Sequence, residues 1–261
     1  SMVKPGTYEE YAPTIYALTA AIDAKDHYTF NHSQNVADYS MALAEAIGLN
    51  REHVQMIYEA GLLHDIGKIS IPERILSKPG ELTKEEYKVM QTHVENSIAM
   101  IRHLPSLDYV IPAAIGHHER WDGKGYPDGL NGEEIPISAQ IVSVADVYDA
   151  LTSKRPYKKP YALSEAIEYL MGGSNVLFDR NAVEAFLEAV PVYAKGIDVL
   201  MTNGERAIVV SNTSNPLRPI VRLVDSGKDI DLSNDKDYIS VTIAPHTVVE
   251  NDFTSVYERF E

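Results

Sequence analysis

Two short clusters of ligand-type side chains suggest metal chemistry in this sequence. His64-Asp65 lies at the predicted end of one helix, and His117-His118 lies at the predicted end of another. A lone histidine on an apolar helix face is usually a structural residue, but imidazole and carboxylate groups that meet in space are ligands for divalent metal ions. The sequence therefore predicts a metal site built from separate helices.

Four further side chains are predicted to face the same interior. His32 lies four residues before Val36 and so shares the inward face of its helix, and His93 lies on the flank of another helix. Asp146 and Asp149 are three residues apart in an otherwise apolar helix, where two buried carboxylates would be costly without a cation. Together, five imidazoles and two or three carboxylates are expected to converge.

The size of this ligand set points to two ions. Seven ligands exceed what one ion with an open position would use, whereas two ions that share a carboxylate would use all of them. Asp65, beside His64, is the natural bridge. Because the chain has no cysteine, its nitrogen and oxygen ligands suit iron, manganese, cobalt or zinc. Ions about 3.5–4 Å apart could clamp a phosphate and activate a hydroxide that attacks phosphorus.

The segment HHERWDGKGYPDG at 117–129 combines two of these ligands with three glycines. The glycines would let the chain fold back, so that its backbone and Tyr126 approach a substrate held on the metals. Glu119 could orient a metal ligand or form a salt bridge, and both interpretations stay open at this point.

Lys68 and Asp149 are the predicted catalytic groups. Lys68 follows His64 by four residues, so its ammonium would point at the same cleft and stabilise charge on the phosphoryl oxygens. Asp149 could orient or deprotonate the attacking water, or deliver a proton through solvent.

The elements that must position these groups are mainly α-helices. Apolar residues recur at helical spacing after Asn31 and stop at Gly48. A capping box at Thr83 starts a helix that would run as far as Ile101, and Asp179 is the predicted N-cap of the last long helix.

A change of period marks a second domain. After Pro191 the apolar period switches to two, with Asn203-Gly204 as a hairpin turn and an alternating strand through Ile239, Val241 and Ile243. We therefore expect a mainly α domain at 7–195, followed at 196–261 by a small β module of unknown role.

Charge and hydropathy exclude some partners. The chain has 23 basic and 38 acidic side chains and a net charge of −15, which disfavours duplex nucleic acid as a ligand. Metal ions and a few local cations could still attract an anionic substrate. No run of about 18 apolar residues is present, so we expect no membrane insertion. The absence of cysteine fits a cytoplasmic location.

Three motifs in this order resemble the HD-GYP family, a branch of the HD-domain metal-dependent phosphohydrolases. They are HDIGK at 64–68, HHERWDGKGYP at 117–127 and ADVYDALTSKRPYK at 145–158, and the resemblance covers roughly residues 15 to 190. It implies an HD-domain helical bundle that hydrolyses cyclic di-GMP to linear pGpG, and potentially on to GMP.

The resemblance also implies roles for single residues. One ion would be held by His32, His64, Asp65 and Asp146, and the other by Asp65, His93, His117 and His118. The substrate would be contacted by Gly125, Tyr126, Pro127, Arg155 and Lys158. The ions would be iron, with manganese as the alternative. Tyr28 stands where some members carry a glutamate that helps to hold a third metal, so we expect two ions.

Two other functions stay open. The chain could be a non-catalytic receptor that binds a cyclic dinucleotide, or a signalling protein, through the loop around Tyr126. It could instead be an HD phosphohydrolase for another nucleotide, such as cyclic GMP-AMP or a guanosine polyphosphate.

Overall fold

The computed structural model describes residues 8–25, 31–153 and 161–244. These residues form two units. The first contains the described residues up to Tyr161 together with Glu165–Ala189, and the second contains Ala162–Ser164 and the described residues from Val190 on. Helices build the first unit and a small sheet builds the second, so the predicted fold class is confirmed. The domain boundary at 195 stays a prediction.

The helices are short to medium in length. They are α1 (Tyr8–Lys25), α2 (His32–Ala46), α3 (Arg51–Leu63), α4 (Glu73–Leu76), α5 (Lys84–Gln91), α6 (His93–Ile101), α7 (Ile111–Gly116), α8 (Ile137–Thr152), α9 (Leu163–Gly172) and α10 (Arg180–Ala189). A 3₁₀ turn at Ile66–Ser70 follows α3. Within the described ranges, no helix combines the length and apolar character needed to cross a membrane.

Local sequence explains where several helices begin and end. Asn31 precedes α2 with a φ of 68°, and Gly48 follows it with a φ of 82°. The capping box at Thr83 starts α5, and the carboxylate of Asp179 accepts a backbone N–H from the first turn of α10 at 3.0 Å. These three predictions are confirmed. The starts of α5 and α10 depend on side chains that bond backbone groups a few residues away, whereas α2 ends where Gly48 takes up a left-handed conformation.

The helix predicted from Thr83 to Ile101 is not continuous. It divides at Thr92, whose N–H bonds to Val89 O at 3.1 Å in a 3₁₀ turn, while its hydroxyl donates to the same carbonyl at 2.7 Å. A threonine hydroxyl that bonds a backbone carbonyl competes with the regular helix ladder. The break places His93 at the start of a new helix, where its ring can reach back to the end of α5.

The core of the first unit fixes the helices that carry the predicted ligands. Tyr39 of α2, Tyr148 of α8 and Phe186 of α10 form an aromatic cluster with ring centroids 5.0 to 6.0 Å apart. Tyr148 and Phe186 are almost completely buried. This cluster holds α8, which carries Asp146, against α2, which begins at His32.

The second unit contains a four-stranded antiparallel meander in the order β1-β2-β3-β4. The strands are β1 (Asp198–Leu200), β2 (Arg206–Ser211), β3 (Ile220–Leu223) and β4 (Asp229–Asp231). One face is buried through Val199, Ala207, Val209, Val221 and Ile230. The predicted turn at Asn203-Gly204 lies between β1 and β2, and Gly204 has a φ of 87°.

The strand predicted through Ile239, Val241 and Ile243 is wrong. The segment begins as a 3₁₀ turn at Lys236–Tyr238, started by the side chain of Asp235, which accepts the Asp237 N–H. Ile239 is 74% exposed, and Ile243 forms only an isolated bridge to Met201. Local capping by an aspartate therefore outweighs the alternation of apolar residues here.

The contact between α2 and α3 gives a test of the packing. A Cβ built on Gly61 would lie 2.6 Å from the Cα of Ala37, so Gly61→Ala should force the two helices apart. Overpacking of this kind costs about 1–3 kcal/mol. We expect a lower midpoint in thermal unfolding followed by circular dichroism. Gly172→Ala is the control, because a Cβ there meets nothing within 4 Å, and equal midpoints for the two variants would contradict the close contact.

Candidate metal centre

The predicted ligands lie mostly at helix ends. His32 opens α2, His64 directly follows α3, and His117 directly follows α7. Their side chains and those of the other predicted ligands meet in two groups, whose donor atoms lie within 4.8 Å of one another in each group. The first group is His32, His64 and Asp146, and the second is Asp65, His93, His117 and His118.

Asp65 belongs to the second group but also faces the first. Its Oδ1 lies 3.3 Å from His93 Nε2 and 3.7 Å from His117 Nε2. Its Oδ2 lies 3.3 Å from His64 Nε2 and 3.8 Å from His32 Nε2. One carboxylate therefore presents a separate oxygen to each group, which is what a ligand that bridges two ions requires.

Backbone carbonyls fix the orientation of three imidazoles. The bonds run from His64 Nδ1 to Gly61 O at 2.7 Å, from His93 Nδ1 to Met90 O at 2.7 Å and from His117 Nδ1 to Ala114 O at 3.1 Å. A carbonyl oxygen only accepts, so each Nδ1 carries the proton and each Nε2 keeps a lone pair. These rings thereby satisfy carbonyls at the ends of α3, α5 and α7 and aim Nε2 at the cluster.

The donor set passes a simple test for metal binding. Among the described residues, the buried atoms His64 Nε2, His117 Nε2 and Asp65 Oδ1 have no hydrogen-bond partner. A buried polar atom left unsatisfied costs about 1–3 kcal/mol. Because these atoms converge and all are metal-ligand types, the cluster fits a divalent metal site.

The protonation states also suit metal ligation. Burial lowers the pKa of His93 to about 4 and lowers the pKa of His118 well below its usual value. Both rings are therefore neutral near pH 7 and keep their lone pairs. Burial opposes ionisation of Asp65, but the ammonium of Lys68 outweighs it, and the pKa of Asp65 lies well below the usual range.

His32 differs from the other imidazoles because it lies between two carboxylates. Burial lowers its pKa, but Asp146, 3.3 Å from Nε2, and Asp149, 2.7 Å from Nδ1, outweigh burial and raise the pKa to about 10. Without a metal, the proton on His32 therefore balances the two acids. A metal ion bound through Nε2 would take the place of that proton.

The cluster opens to solvent at one side. Lys68, His118, Tyr126 and Asp146 are partly exposed, whereas the remaining predicted ligands are buried. Lys68 Nζ lies 2.5 Å from Asp65 Oδ2, so the ammonium reaches the cluster as its spacing from His64 predicted. Its role in charge stabilisation stays a prediction.

The position of Asp149 corrects its predicted catalytic role. Its carboxylate is fully buried, and its Oδ2 accepts from His32 Nδ1 at 2.7 Å. Its Oδ1 accepts from Asn35 Nδ2 and from Ser153 Oγ, both at 2.8 Å. A group enclosed in this way, behind a predicted ligand, cannot reach an attacking water, so it orients the ring of His32.

The loop after His118 folds back on the cluster as its glycines suggested. The ring of Tyr126 stacks on His118 with centroids 4.8 Å apart and an angle of 21°, and the Tyr126 N–H donates to His118 O at 3.2 Å. A Cβ on Gly125 would lie 2.4 Å from Arg120 N, so only glycine allows this close approach. The Tyr126–Pro127 peptide is cis, and Pro127 is exposed.

Glu119 has neither of the two roles suggested by the sequence. Its buried carboxylate accepts three backbone N–H groups, from Asp128 at 2.8 Å, Gly129 at 3.1 Å and Leu130 at 3.0 Å. Glu119 therefore holds the far end of the loop, at residues 128–130, against the segment that directly follows His117 and His118. Charge-assisted bonds of this kind are among the stronger hydrogen bonds in proteins.

Two supporting residues were missed by sequence reasoning. Asn35 bonds Asp149, and its place three residues after His32 was a usable signal, since both lie on one helix face. Ser97 accepts the Gly67 N–H at 2.8 Å and joins the turn after Asp65 to α6. Nothing in the sequence indicates that contact. Tyr28, Arg155 and Lys158 lie outside the described residues, so the predictions for them are not tested.

Comparison with protein families shows which family the chain belongs to. A family model described as the HD domain matches residues 17–182. The chain belongs to the HD domain family and, within it, to the HD-GYP group whose motifs it carries.

Two solved structures share the fold, each with a TM-score of 0.52. One is an HDG"Y"P protein from Bdellovibrio bacteriovorus, 20% identical over 70% of this chain and 64% of that chain. The other is a cyclic GMP-AMP phosphodiesterase of Vibrio cholerae, 19% identical over 68% and 48%.

Three curated relatives have higher sequence identity. The cyclic di-GMP phosphodiesterase of Thermotoga maritima is 42% identical over 69% of this chain and 50% of its own length. The cyclic di-GMP phosphodiesterase response regulator RpfG of Xanthomonas campestris is 41% identical over 69% and 48%. The 3′3′-cGAMP-specific phosphodiesterase 2 of Vibrio cholerae is 42% identical over 67% and 34%. The chain thus spans about half or less of the length of these relatives.

The bond from His32 Nδ1 to the buried carboxylate of Asp149 predicts an effect of Asp149 on metal binding. Asp149→Asn keeps the shape of the side chain but removes the charge behind His32, so metal affinity at the first group should fall by about 10–100-fold. Elemental analysis after dialysis against a weak chelator would measure the loss. Asp108→Asn, at an exposed position, is the control. Unchanged metal content in Asp149→Asn would contradict the orienting role.

The anchor of the loop predicts a separate effect on the loop that carries Tyr126. Glu119→Gln leaves one oxygen for three N–H donors, so this loop should loosen while the metals stay bound. For the cyclic dinucleotide hydrolysis proposed below, we expect a KM higher by about 5–30-fold, equivalent to about 1–2 kcal/mol, in a steady-state assay. Glu133→Gln, at an exposed position, is the control. Loss of metal with an unchanged KM would show that Glu119 acts on the metal ligands instead.

Proposed function

We propose that the chain is a metal-dependent phosphodiesterase that hydrolyses cyclic di-GMP to linear pGpG, and potentially on to GMP. The observation that supports this most is the position of Asp65, with one carboxylate oxygen facing each group of imidazoles. Paired ions joined by a bridging ligand are typical of enzymes that cleave phosphate esters. Two relatives with 41% and 42% identity are named cyclic di-GMP phosphodiesterases.

The two groups of side chains would hold two divalent ions, iron or alternatively manganese. When bound, such ions polarise the phosphate and lower the pKa of water, so that water can attack phosphorus at neutral pH. His32, His64 and Asp146 would hold one ion, and His93, His117 and His118 the other, with Asp65 shared. Asp149 keeps His32 in the ligating tautomer. Lys68, at the open side, would stabilise negative charge on the phosphoryl oxygens.

The loop beside the ligands would recognise the nucleotide. Tyr126 offers an aromatic face for guanine and a hydroxyl for a phosphate or sugar, and burial raises the pKa of that hydroxyl, so it stays a neutral donor. Gly125 and Pro127 shape the loop on either side of this ring. Arg155 and Lys158 would bind phosphate, Arg155 through its planar fork.

Cyclic GMP-AMP is the second candidate substrate. A relative that is 42% identical is named as specific for 3′3′-cGAMP, which is as similar to this chain as the cyclic di-GMP enzymes are. A receptor without catalysis, or a loop that also binds a signalling protein, remains an alternative use of the same surface. The complete set of ligand-type side chains favours the enzyme.

A substrate panel tests the proposal. After anaerobic purification, metal content is measured, and kcat/KM is compared for cyclic di-GMP, cyclic GMP-AMP and guanosine tetraphosphate by chromatography of the products. We expect about two ions per chain and the highest kcat/KM with cyclic di-GMP. Full metal occupancy without hydrolysis of any cyclic dinucleotide would favour the receptor. Equal or better turnover of guanosine tetraphosphate would remove the proposed substrate.

Asp65 is the residue whose loss should be most severe. Asp65→Ala removes the shared ligand, so metal content and turnover should both fall by more than the roughly 10–100-fold that loss of a supporting hydrogen bond costs. The helical signal in circular dichroism should remain, which separates loss of the site from loss of the fold. Asp108→Ala is the exposed control. A fully active Asp65→Ala protein would refute the bridging assignment.

A further inference from the structure

A row of rings leads from the metal centre to the surface of the first unit. The ring of His117 lies 4.0 Å from that of His118, and His118 stacks on Tyr126 at 4.8 Å. Tyr126 then meets Tyr87 of α5 with centroids 6.3 Å apart and an angle of 79°. Tyr87 ends the row and is 48% exposed. Sequence reasoning gave this tyrosine no role in the site.

Several contacts hold α5, the helix that carries Tyr87, in its place. A capping box starts α5, and Lys78 bonds Glu86 at 2.5 Å. Met90, three residues after Tyr87, packs against a small apolar cluster of the first unit. The carbonyl of Met90 also accepts the Nδ1–H of the predicted ligand His93 at 2.7 Å. The helix that presents Tyr87 is therefore tied directly to the metal centre.

Packing alone gives little reason for an aromatic residue at this position. All eight residues of α5 are described, and none of them is buried, so Tyr87 fills no core. One face of the Tyr126 ring is covered by His118, while the ring of Tyr87 stands nearly at right angles to that of Tyr126. Two phenol rings in this arrangement form a corner with apolar surfaces and polar tips, which suits a flat heteroaromatic base.

We propose that Tyr87 and Tyr126 together form a purine-binding subsite, which holds a base of the substrate while its phosphate lies at the metal centre. The inference rests on the proposed function, and it adds Tyr87 as a residue that contacts the substrate. Stacking on aromatic side chains contributes to nucleotide affinity with little dependence on which base is bound. The subsite therefore favours purine nucleotides over phosphate alone, and both cyclic di-GMP and cyclic GMP-AMP would satisfy it.

Binding measured without turnover separates the base from the phosphate. The affinities of the metal-loaded protein for GMP and for inorganic phosphate are measured by calorimetry in wild type, Tyr87→Ala and Tyr87→Phe. In Tyr87→Ala the affinity for GMP should fall by about 5–150-fold, while phosphate affinity and metal content stay unchanged. Tyr87→Phe should keep most of the GMP affinity, because the ring remains. Tyr169→Ala on α9 is the matched control, since Tyr169 is 49% exposed.

Three results would overturn the subsite. They are equal GMP affinity in wild type and Tyr87→Ala, an equal loss of GMP and phosphate affinity, and a loss in Tyr87→Phe as large as in Tyr87→Ala. Because these affinities require no hydrolysis, they are independent of the substrate panel. A wild-type protein that cleaves no cyclic dinucleotide would end the proposed function, whereas an unaffected Tyr87→Ala protein would end only this inference.

Discussion

A buried carboxylate among five imidazoles is the constraint on which the first unit depends. An ionised Asp65 inside a protein is costly unless positive charge lies next to it, and here the ammonium of Lys68 supplies that charge. Backbones must approach closely to bring the rings together. A Cβ on Gly67 would lie 1.9 Å from His93 O, so a glycine is required where the turn after Asp65 touches α6. Helix ends meet at this point because their free carbonyls hold the imidazoles.

The two groups of ligand-type side chains are supported in different ways. His32 is backed by a carboxylate, whereas His64, His93 and His117 are backed by neutral carbonyls. A carboxylate that accepts the Nδ1–H of an imidazole makes the other ring nitrogen a stronger electron-pair donor to a metal ion. The second group, in turn, is continuous with the loop that carries Tyr126, since Glu119 follows its adjacent histidines and holds the backbone at 128–130. The proposed metal ligands and the loop proposed to bind the nucleotide thus belong to one short segment of chain.

The range of each interaction decides how much could be predicted from the sequence. Helix starts at Thr83 and Asp179 follow from side chains within three residues. Five of the predicted ligands follow from three motifs in order, and His32 and His93 follow from their places on helix faces. The partner of Asp149 lies 117 positions away, and the three amides held by Glu119 depend on how a glycine loop closes. Neither of these contacts can be predicted from a local sequence pattern. The strand predicted at Ile239 is the opposite case. There the alternation of apolar residues predicted a strand, but the side chain of Asp235 caps a 3₁₀ turn instead.

The most direct test of this account is anomalous diffraction from crystals of anaerobically purified protein, recorded at the absorption edge of the metal found by elemental analysis. The account predicts two peaks about 3.5–4 Å apart, one near each oxygen of the Asp65 carboxylate, with His32 beside the first and His93 beside the second. A single peak, or two peaks that do not share Asp65, would contradict the bridging carboxylate and with it the proposed chemistry.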